Sequence, residues 1–162
     1  NLVASWCGSF GVTPVLFRLQ NVYGPGQSLI NPYTGIISLF VRLAGAGESI
    51  PVYEDGEIIR DFVFIDDVAS AVVAGVLISE AQIEPYDIGL GERTTMLQVA
   101  RIIAARYGAP EPHVTGQFRD GDVRSAWADT REARSRLGWE PEVPVAEGIT
   151  RLCAWIDSQE VA

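Results

Sequence analysis

Apolar and polar positions run along the chain in short blocks that differ in period. Leu2, Val3, Trp6 and Phe10 recur at helical spacing, so residues 1–10 read as the last turns of a helix that Gly8 and Gly11 end. Val15-Leu16-Phe17-Arg18-Leu19 lacks that period and fits a strand buried on both faces, as in a parallel sheet. Gln20 to Gln27 follows as a Gly/Pro loop at the carboxyl end of that strand, where open α/β sheets bind ligands. Thr34 is the expected N-cap of a helix carrying Ile36, Ile37, Phe40, Val41 and Leu43. Pro51-Val52-Tyr53 and Ile58 to Ile65 read as strands joined through Asp55-Gly56, a hairpin signal. Asp66 and Asp67 are expected to cap an apolar helix from Val68 to Ser79. Tyr86-Asp87-Ile88 is a further short strand ending in Gly89-Leu90-Gly91. Thr95-x-x-Gln98 is a capping box opening a helix from Leu97 to Tyr107. A strand-like stretch covers Val114 to Phe118, and a short helix from Asp129 or Thr130 ends at Leu137-Gly138-Trp139. Pro141 and Pro144 bracket a turn before a last helix from Val145 to Asp157. This alternation of helix and strand predicts an α/β or α+β fold. The first strand has no partner before it, which predicts that the rest of its sheet lies upstream.

Composition excludes several classes. The 162 residues are 48% hydrophobic and 20% charged, with 16 Gly and 9 Pro, as in an ordinary folded protein. Disorder, collagen-like sequence and a disulfide scaffold are set aside. No apolar run reaches the roughly 18–20 residues of a membrane helix, and no signal peptide opens the chain. The 12 basic residues, all Arg, stand against 21 acidic ones, for a net charge of −9. Such a chain is a poor general binder of nucleic acid or anionic membrane, because phosphates need local positive charge. An anionic small ligand gripped by a few Arg remains open, since the planar guanidinium suits phosphate oxygens; the Arg bias equally fits a GC-rich genome. Cys7 and Cys153 form no C-x-x-C, so no metal is expected on them and both read as reduced thiols. His113, flanked by prolines, reads as a surface residue, and with no G-x-S-x-G elbow in the chain, Ser-His-Asp hydrolysis is set aside.

Three segments carry candidate chemistry. Gly89-Leu90-Gly91-Glu92-Arg93-Thr94 lies between a strand and a helix, as a dinucleotide fingerprint does, but Thr94 stands at its third Gly position. A tight turn feeding the capping box is the plainer reading. Arg60 sits inside an otherwise apolar strand, either paired with a nearby carboxylate or serving as a phosphate ligand. Arg119-Asp120-Gly121-Asp122 offers a second Arg, a permissive Gly, and a carboxylate able to accept from sugar hydroxyls. The two Arg can converge on one diphosphate, with Thr34 and Gly35 adding a helix N-terminus.

The run Arg18-Leu19-Gln20-Asn21-Val22-Tyr23-Gly24-Pro25-Gly26-Gln27 resembles the R-x-x-N-V-Y-G-P-G segment of extended short-chain dehydrogenases, the nucleotide-sugar epimerases and dehydratases. Arg60-Asp61-Phe62 through Asp66-Asp67-Val68-Ala69, Tyr86 to Gly91, Gly121 to Arg124, Ala128-Asp129-Thr130 and Leu137 to Pro141 resemble further segments of that family, in family order. The resemblance implies an α/β chain corresponding to the C-terminal, substrate-binding part of an extended Rossmann-type epimerase. It would hold the last strands of the parallel sheet and a small α/β lobe, and residues 1–162 would form one nucleotide-sugar-binding portion. By position, Asn21 would contact the substrate diphosphate or sugar, and Gln20 would approach the nicotinamide end of NAD. Thr34 and Gly35 would lie near the phosphates, and Tyr53 would line the base pocket. Arg60 and Arg119 would grip the diphosphate, and Asp122 the ribose hydroxyls.

The family's G-x-x-G-x-x-G is not in this chain. Nor is its catalytic Tyr-x-x-x-Lys, since the chain has no Lys and no Tyr before Tyr23. The resemblance therefore implies a half that binds substrate, is inactive alone and exposes apolar surface where the sheet should continue. In the whole enzyme, implied to be a cytoplasmic homodimer, sugar C4 is oxidised as its hydride passes to NAD, the keto sugar rotates, and the hydride returns from the reduced cofactor to the other face. A 4,6-dehydratase half and a non-catalytic nucleotide-sugar-binding or assembly module are the alternative readings.

Overall fold

The computed structural model describes residues 2–28, 35–77 and 84–159. The expected cap Thr34 and the end of the helix expected to reach Ser79 lie outside them, and the N-cap position of the helix that starts at Ile36 is taken by Gly35, without a side-chain cap, rather than by Thr34. Helix α1 (Leu2–Phe10) runs through Gly8 and stops at Gly11, whose φ of +66° is the left-handed conformation that ends helices. Strands β1 (Phe17–Leu19) and β2 (Asn21–Tyr23) follow almost without a break. The segment expected as a loop from Gln20 is thus partly strand. The Gln20 N–H donates to the Ile88 carbonyl and the next N–H, on Asn21, donates to the Asp61 carbonyl. Alternating N–H directions send the chain from one neighbour to another at this point. Nor is β1 buried on both faces: Arg18 and Leu19, which point to opposite faces, are both exposed.

Helix α2 (Ile36–Gly45) leads to strand β3 (Pro51–Val52), then strands β4 (Ile59–Arg60) and β5 (Phe62–Phe64). The expected hairpin does not form. Gly56 N–H donates to the Tyr53 carbonyl at 3.1 Å, so the Asp-Gly turn exists. Its flanks pair elsewhere: β3 runs parallel to β8 (His113–Val114), and β4 antiparallel to β7 (Thr94–Thr95). The single strand expected over Ile58–Ile65 is broken at Asp61, whose side chain turns inward. Helix α3 (Ile65–Leu77) starts one residue earlier than Asp66. Asp67 does not cap it but accepts N–H groups of Glu142 and Val143, at 2.9 and 3.1 Å. Strand β6 (Tyr86–Ile88) pairs parallel with β1, and β5 parallel with β2. Helix α4 (Met96–Tyr107) carries the expected capping box, with both Thr95–Gln98 bonds made. Beyond Val114 the expected strand gives way to an irregular loop reaching Asp122. Helices α5 (Arg131–Leu137) and α6 (Val145–Gln159) close the chain.

Among the described residues, two apolar cores result. Helices α2, α4 and α6 pack Phe40, Ile103, Ile149 and Leu152 around the aromatic group Tyr23, Phe62 and Phe64. Tyr23 meets both Phe rings edge-on, an arrangement favoured by ring quadrupoles. The second core joins α3 and α5 to β5 and β6 through Val63, Val68, Tyr86, Ile88, Ala133 and Trp139. Cys7 and Cys153 are free and buried. Among the described residues, no helix is long and apolar enough to cross a membrane. Leu2, Trp6 and Phe10 on α1 and Val73, Val76 and Leu77 on α3 are exposed apolar residues on helices, a different place from the sheet continuation where the sequence predicts apolar surface.

Candidate functional site

Asp61 organises the ground on which the site stands. It is fully buried, and its Oδ1 accepts the Leu90 N–H at 2.8 Å. Its Oδ2 accepts the N–H groups of Gly91 at 3.0 Å and Ala128 at 3.1 Å. Three N–H donors answer the charge that burial would otherwise penalise. The Gly-x-Gly of residues 89–91 therefore wraps a carboxylate of its own chain. A Cβ on Gly89 would run into the Asp61 carboxylate, which explains glycine there without a dinucleotide.

On this base, Ile59–Arg60 lies between two segments: it pairs with Thr94–Thr95 on one side, and Ile59 N–H donates to the Arg124 carbonyl on the other. A cleft of about 310 Å³ opens beside it. Asn21, Tyr53, Arg60, Arg119 and Asp122 all line this cleft, with Leu39, Phe40, Phe62 and Met96 as its apolar wall. Five of the expected residues, from four separate stretches of sequence, thus meet in one place. Asn21 is set at the wall by its side-chain amide, which donates to the Asp61 carbonyl at 3.1 Å. Arg60 is 17% exposed and reaches the 37% exposed Asp122 at 2.6 Å. Arg119 leans over the Tyr53 ring, its guanidinium carbon 5.6 Å from the ring centre. Among the described residues, Arg119 has no carboxylate partner.

Gly35 opens α2 with φ +107° and lines an adjoining hollow with Asn21 and Gln27, whose side chain bonds Ser38. Gln20 lines neither space and lies half-buried at the β1–β2 junction. Thr34 lies outside the described residues. His113 is exposed as expected, its Nδ1 2.8 Å from the Ser49 hydroxyl. Among the described residues, no cluster of His, Cys, Asp or Glu suits a metal ion.

Two features were absent from the sequence reading. The first is the role of Asp61, whose only signal was a lone carboxylate beside an apolar run. The second is Arg124, which bonds Glu54 at 2.7 Å and Asp55 at 2.6 and 3.0 Å. These bonds hold the Asp55 carboxyl down at about 2 and raise the Arg124 guanidinium. Near the cleft, burial pushes the Tyr23 hydroxyl up, with the Asp67 charge adding to it. That hydroxyl stays protonated and donates to the Val145 carbonyl at 3.2 Å.

The chain is similar to dTDP-L-rhamnose 4-epimerase of Burkholderia thailandensis, with 56% identity over 89% of this chain and 40% of that protein. It is 37% identical to UDP-glucose 4-epimerase of Mycolicibacterium smegmatis, over 81% of this chain and 41% of that protein. The solved UDP-glucose 4-epimerase of Thermotoga maritima, crystallised with UDP-glucose, superposes with a TM-score of 0.88 at 29% identity. The match covers 98% of this chain and 50% of that one. The chain thus spans about half the length of the curated relatives it matches. Residues 1–89 match the family model of the NAD dependent epimerase/dehydratase family. With that match over more than half its length, the chain belongs to the NAD-dependent epimerase/dehydratase family.

Proposed function

We propose that this chain is the part of an NAD-dependent nucleotide-sugar 4-epimerase that holds the nucleotide sugar. The observation that carries this reading is the meeting of Asn21, Tyr53, Arg60, Arg119 and Asp122 in one cleft. Arg119, which has no carboxylate partner among the described residues, is the first partner for a diphosphate. Arg60 joins it on the other side, and Asp122, released in part from Arg60, accepts from the ribose hydroxyls. Tyr53 offers a flat face to the base, and the Asn21 amide meets the diphosphate or the sugar. Gly35 brings the start of α2, whose N–H groups and dipole favour anions; this reading sets Thr34 beside it. The names of the two relatives favour a 4-epimerase over a 4,6-dehydratase, and the 56% identity favours a dTDP-linked sugar, with a UDP-linked one next.

NAD, when bound, supplies the hydride acceptor for oxidation at the sugar carbon. The Gly89–Gly91 turn is not a cradle for the cofactor's phosphates, because its Leu90 and Gly91 N–H groups are taken by Asp61. Gln20 is the one residue this reading turns toward the nicotinamide end. The chain's own part is binding and orientation, and proton and hydride transfer belong to groups outside it. A cytoplasmic homodimer is the setting the family resemblance carries for the whole enzyme.

Calorimetric titration with a dTDP- or UDP-sugar tests the reading. Arg119→Ala should weaken binding about 10–100-fold, the worth of a charge-assisted phosphate contact of about 1.5–3 kcal/mol. In an enzyme containing this chain, the same change should raise KM for the sugar nucleotide and leave NAD binding unchanged. Equal affinity of wild type and Arg119→Ala contradicts the diphosphate role.

A further inference from the structure

The loop that carries Arg119 and Asp122 is fastened at both ends to one turn. At its start, the Glu54 N–H donates to the Gln117 carbonyl at 2.7 Å, and the Gly116 N–H returns to the Glu54 carbonyl at 3.2 Å. At its end, the Arg124 guanidinium grips the Glu54 and Asp55 carboxylates. Between these ties the loop folds back on itself, with the Asp122 N–H donating to the Arg119 carbonyl at 3.1 Å. The turn itself is unusual. Glu54 has φ +53°, sparsely populated by residues other than glycine, and such a conformation persists where the surroundings over-determine it. Tyr53, which lines the cleft, immediately precedes it.

We propose that Arg124 is a positioning residue: by bridging Glu54 and Asp55 it sets the loop bearing Arg119 and Asp122 against the turn that presents Tyr53. This inference rests on the diphosphate reading above. Arg124 does not line the cleft, so its effect passes through Arg119 and Asp122. The task suits arginine rather than lysine. One guanidinium nitrogen reaches both carboxylates while a second takes the other Asp55 oxygen, a bridge that a point charge on a flexible stem does not reproduce. Ion pairs this exposed contribute little to global stability, so removing this one should leave the fold standing and loosen only the loop.

The test uses the 162-residue chain and uridine 5′-diphosphate as the probe, with amide hydrogen exchange read in parallel. Arg124→Gln should weaken the probe's Kd about tenfold and speed exchange of the Asp122 amide several-fold, while protection in α4 holds. Arg124→Lys should recover part of both effects. Asp55→Asn should weaken binding on its own and add nothing to Arg124→Gln, as expected of two groups acting as one unit. Arg136→Gln, which breaks an exposed ion pair on α5, should change neither reading. Unchanged Kd and unchanged Asp122 exchange in Arg124→Gln overturn the proposal, as does loss of protection throughout α4, which would make Arg124 merely structural. If the wild-type chain takes up no uridine diphosphate, the diphosphate reading fails by itself, and Asp122 exchange alone decides the clamp.

Discussion

Asp61 gathers three main-chain N–H groups from two segments far from it in sequence, and its own carboxylate is fully buried. Asp61→Asn keeps one acceptor oxygen and turns an NH₂ group toward donors. The expected loss is about 2–4 kcal/mol in chemical denaturation, since unsatisfied buried donors cost about 1–3 kcal/mol each. A loss below about 1 kcal/mol would mean that the segments hold together without the carboxylate. Asp55 behaves differently because it is exposed. Its carboxyl sits at about 2 in the folded chain against an ordinary 3.8. A depressed carboxyl stabilises the fold above its unfolded value and loses that contribution as pH falls through the folded one. The Arg124–Asp55 contact should therefore be complete above about pH 4 and fail toward pH 2. Asp129, held at about 2 by Arg131, titrates in the same window. Because the pair is exposed, its share of global stability is small, and the check is local. A carboxyl NMR titration should find Asp55 well below the ordinary carboxylate value and moved back toward it in Arg124→Gln, and an Asp55 titration unchanged in Arg124→Gln would contradict the pairing. In the sequence, Arg60, Arg119 and Asp122 were legible as charged residues in segments of the right kind. Asp61 and Arg124 were not, because their partners lie about 30–70 positions away and only folding brings them together.

Among the elements, those governed by local rules were the ones the sequence made plain. The Thr95–Gln98 capping box opens α4 with both of its reciprocal bonds, and α6 carries a clear apolar stripe. Strand pairing was not local, and there the reading failed. Asp55-Gly56 does make its turn, yet β3 and β4 find partners about 60 and 35 residues later in the chain. Two-residue strands carry too little pattern to compete with such long-range contacts. Close packing of elements is a further matter hidden from periodicity. Gly148 on α6 lies against Tyr23 of β2, and a Cβ there would strike the Tyr23 hydroxyl and approach Phe64 Cδ2 within 3.0 Å. The hydroxyl is held by Val145 and has little room to give. Gly148→Ala should therefore cost about 1–3 kcal/mol by overpacking, despite alanine's better helix propensity. A stabilised variant in thermal unfolding would show that α6 is free to shift from β2.

Across the whole molecule, the two cores divide the work. The core of α2, α4 and α6 supports the cleft, with Phe40, Phe62 and Met96 belonging to both. The core around Trp139 and Tyr86 faces the other way and supports α3, whose outer face leaves Val76 74% and Leu77 78% exposed. With a net charge of −9, the chain attracts anions only where arginines are concentrated, and the cleft holds two. The account's central claim is that a nucleotide diphosphate sugar lies in this cleft. A crystal structure of the chain grown with a dTDP- or UDP-sugar tests it most directly. The account predicts the diphosphate between Arg60 and Arg119, the ribose at Asp122 and the base against Tyr53. A diphosphate bound away from both arginines, or a cleft left empty at saturating ligand, would contradict it.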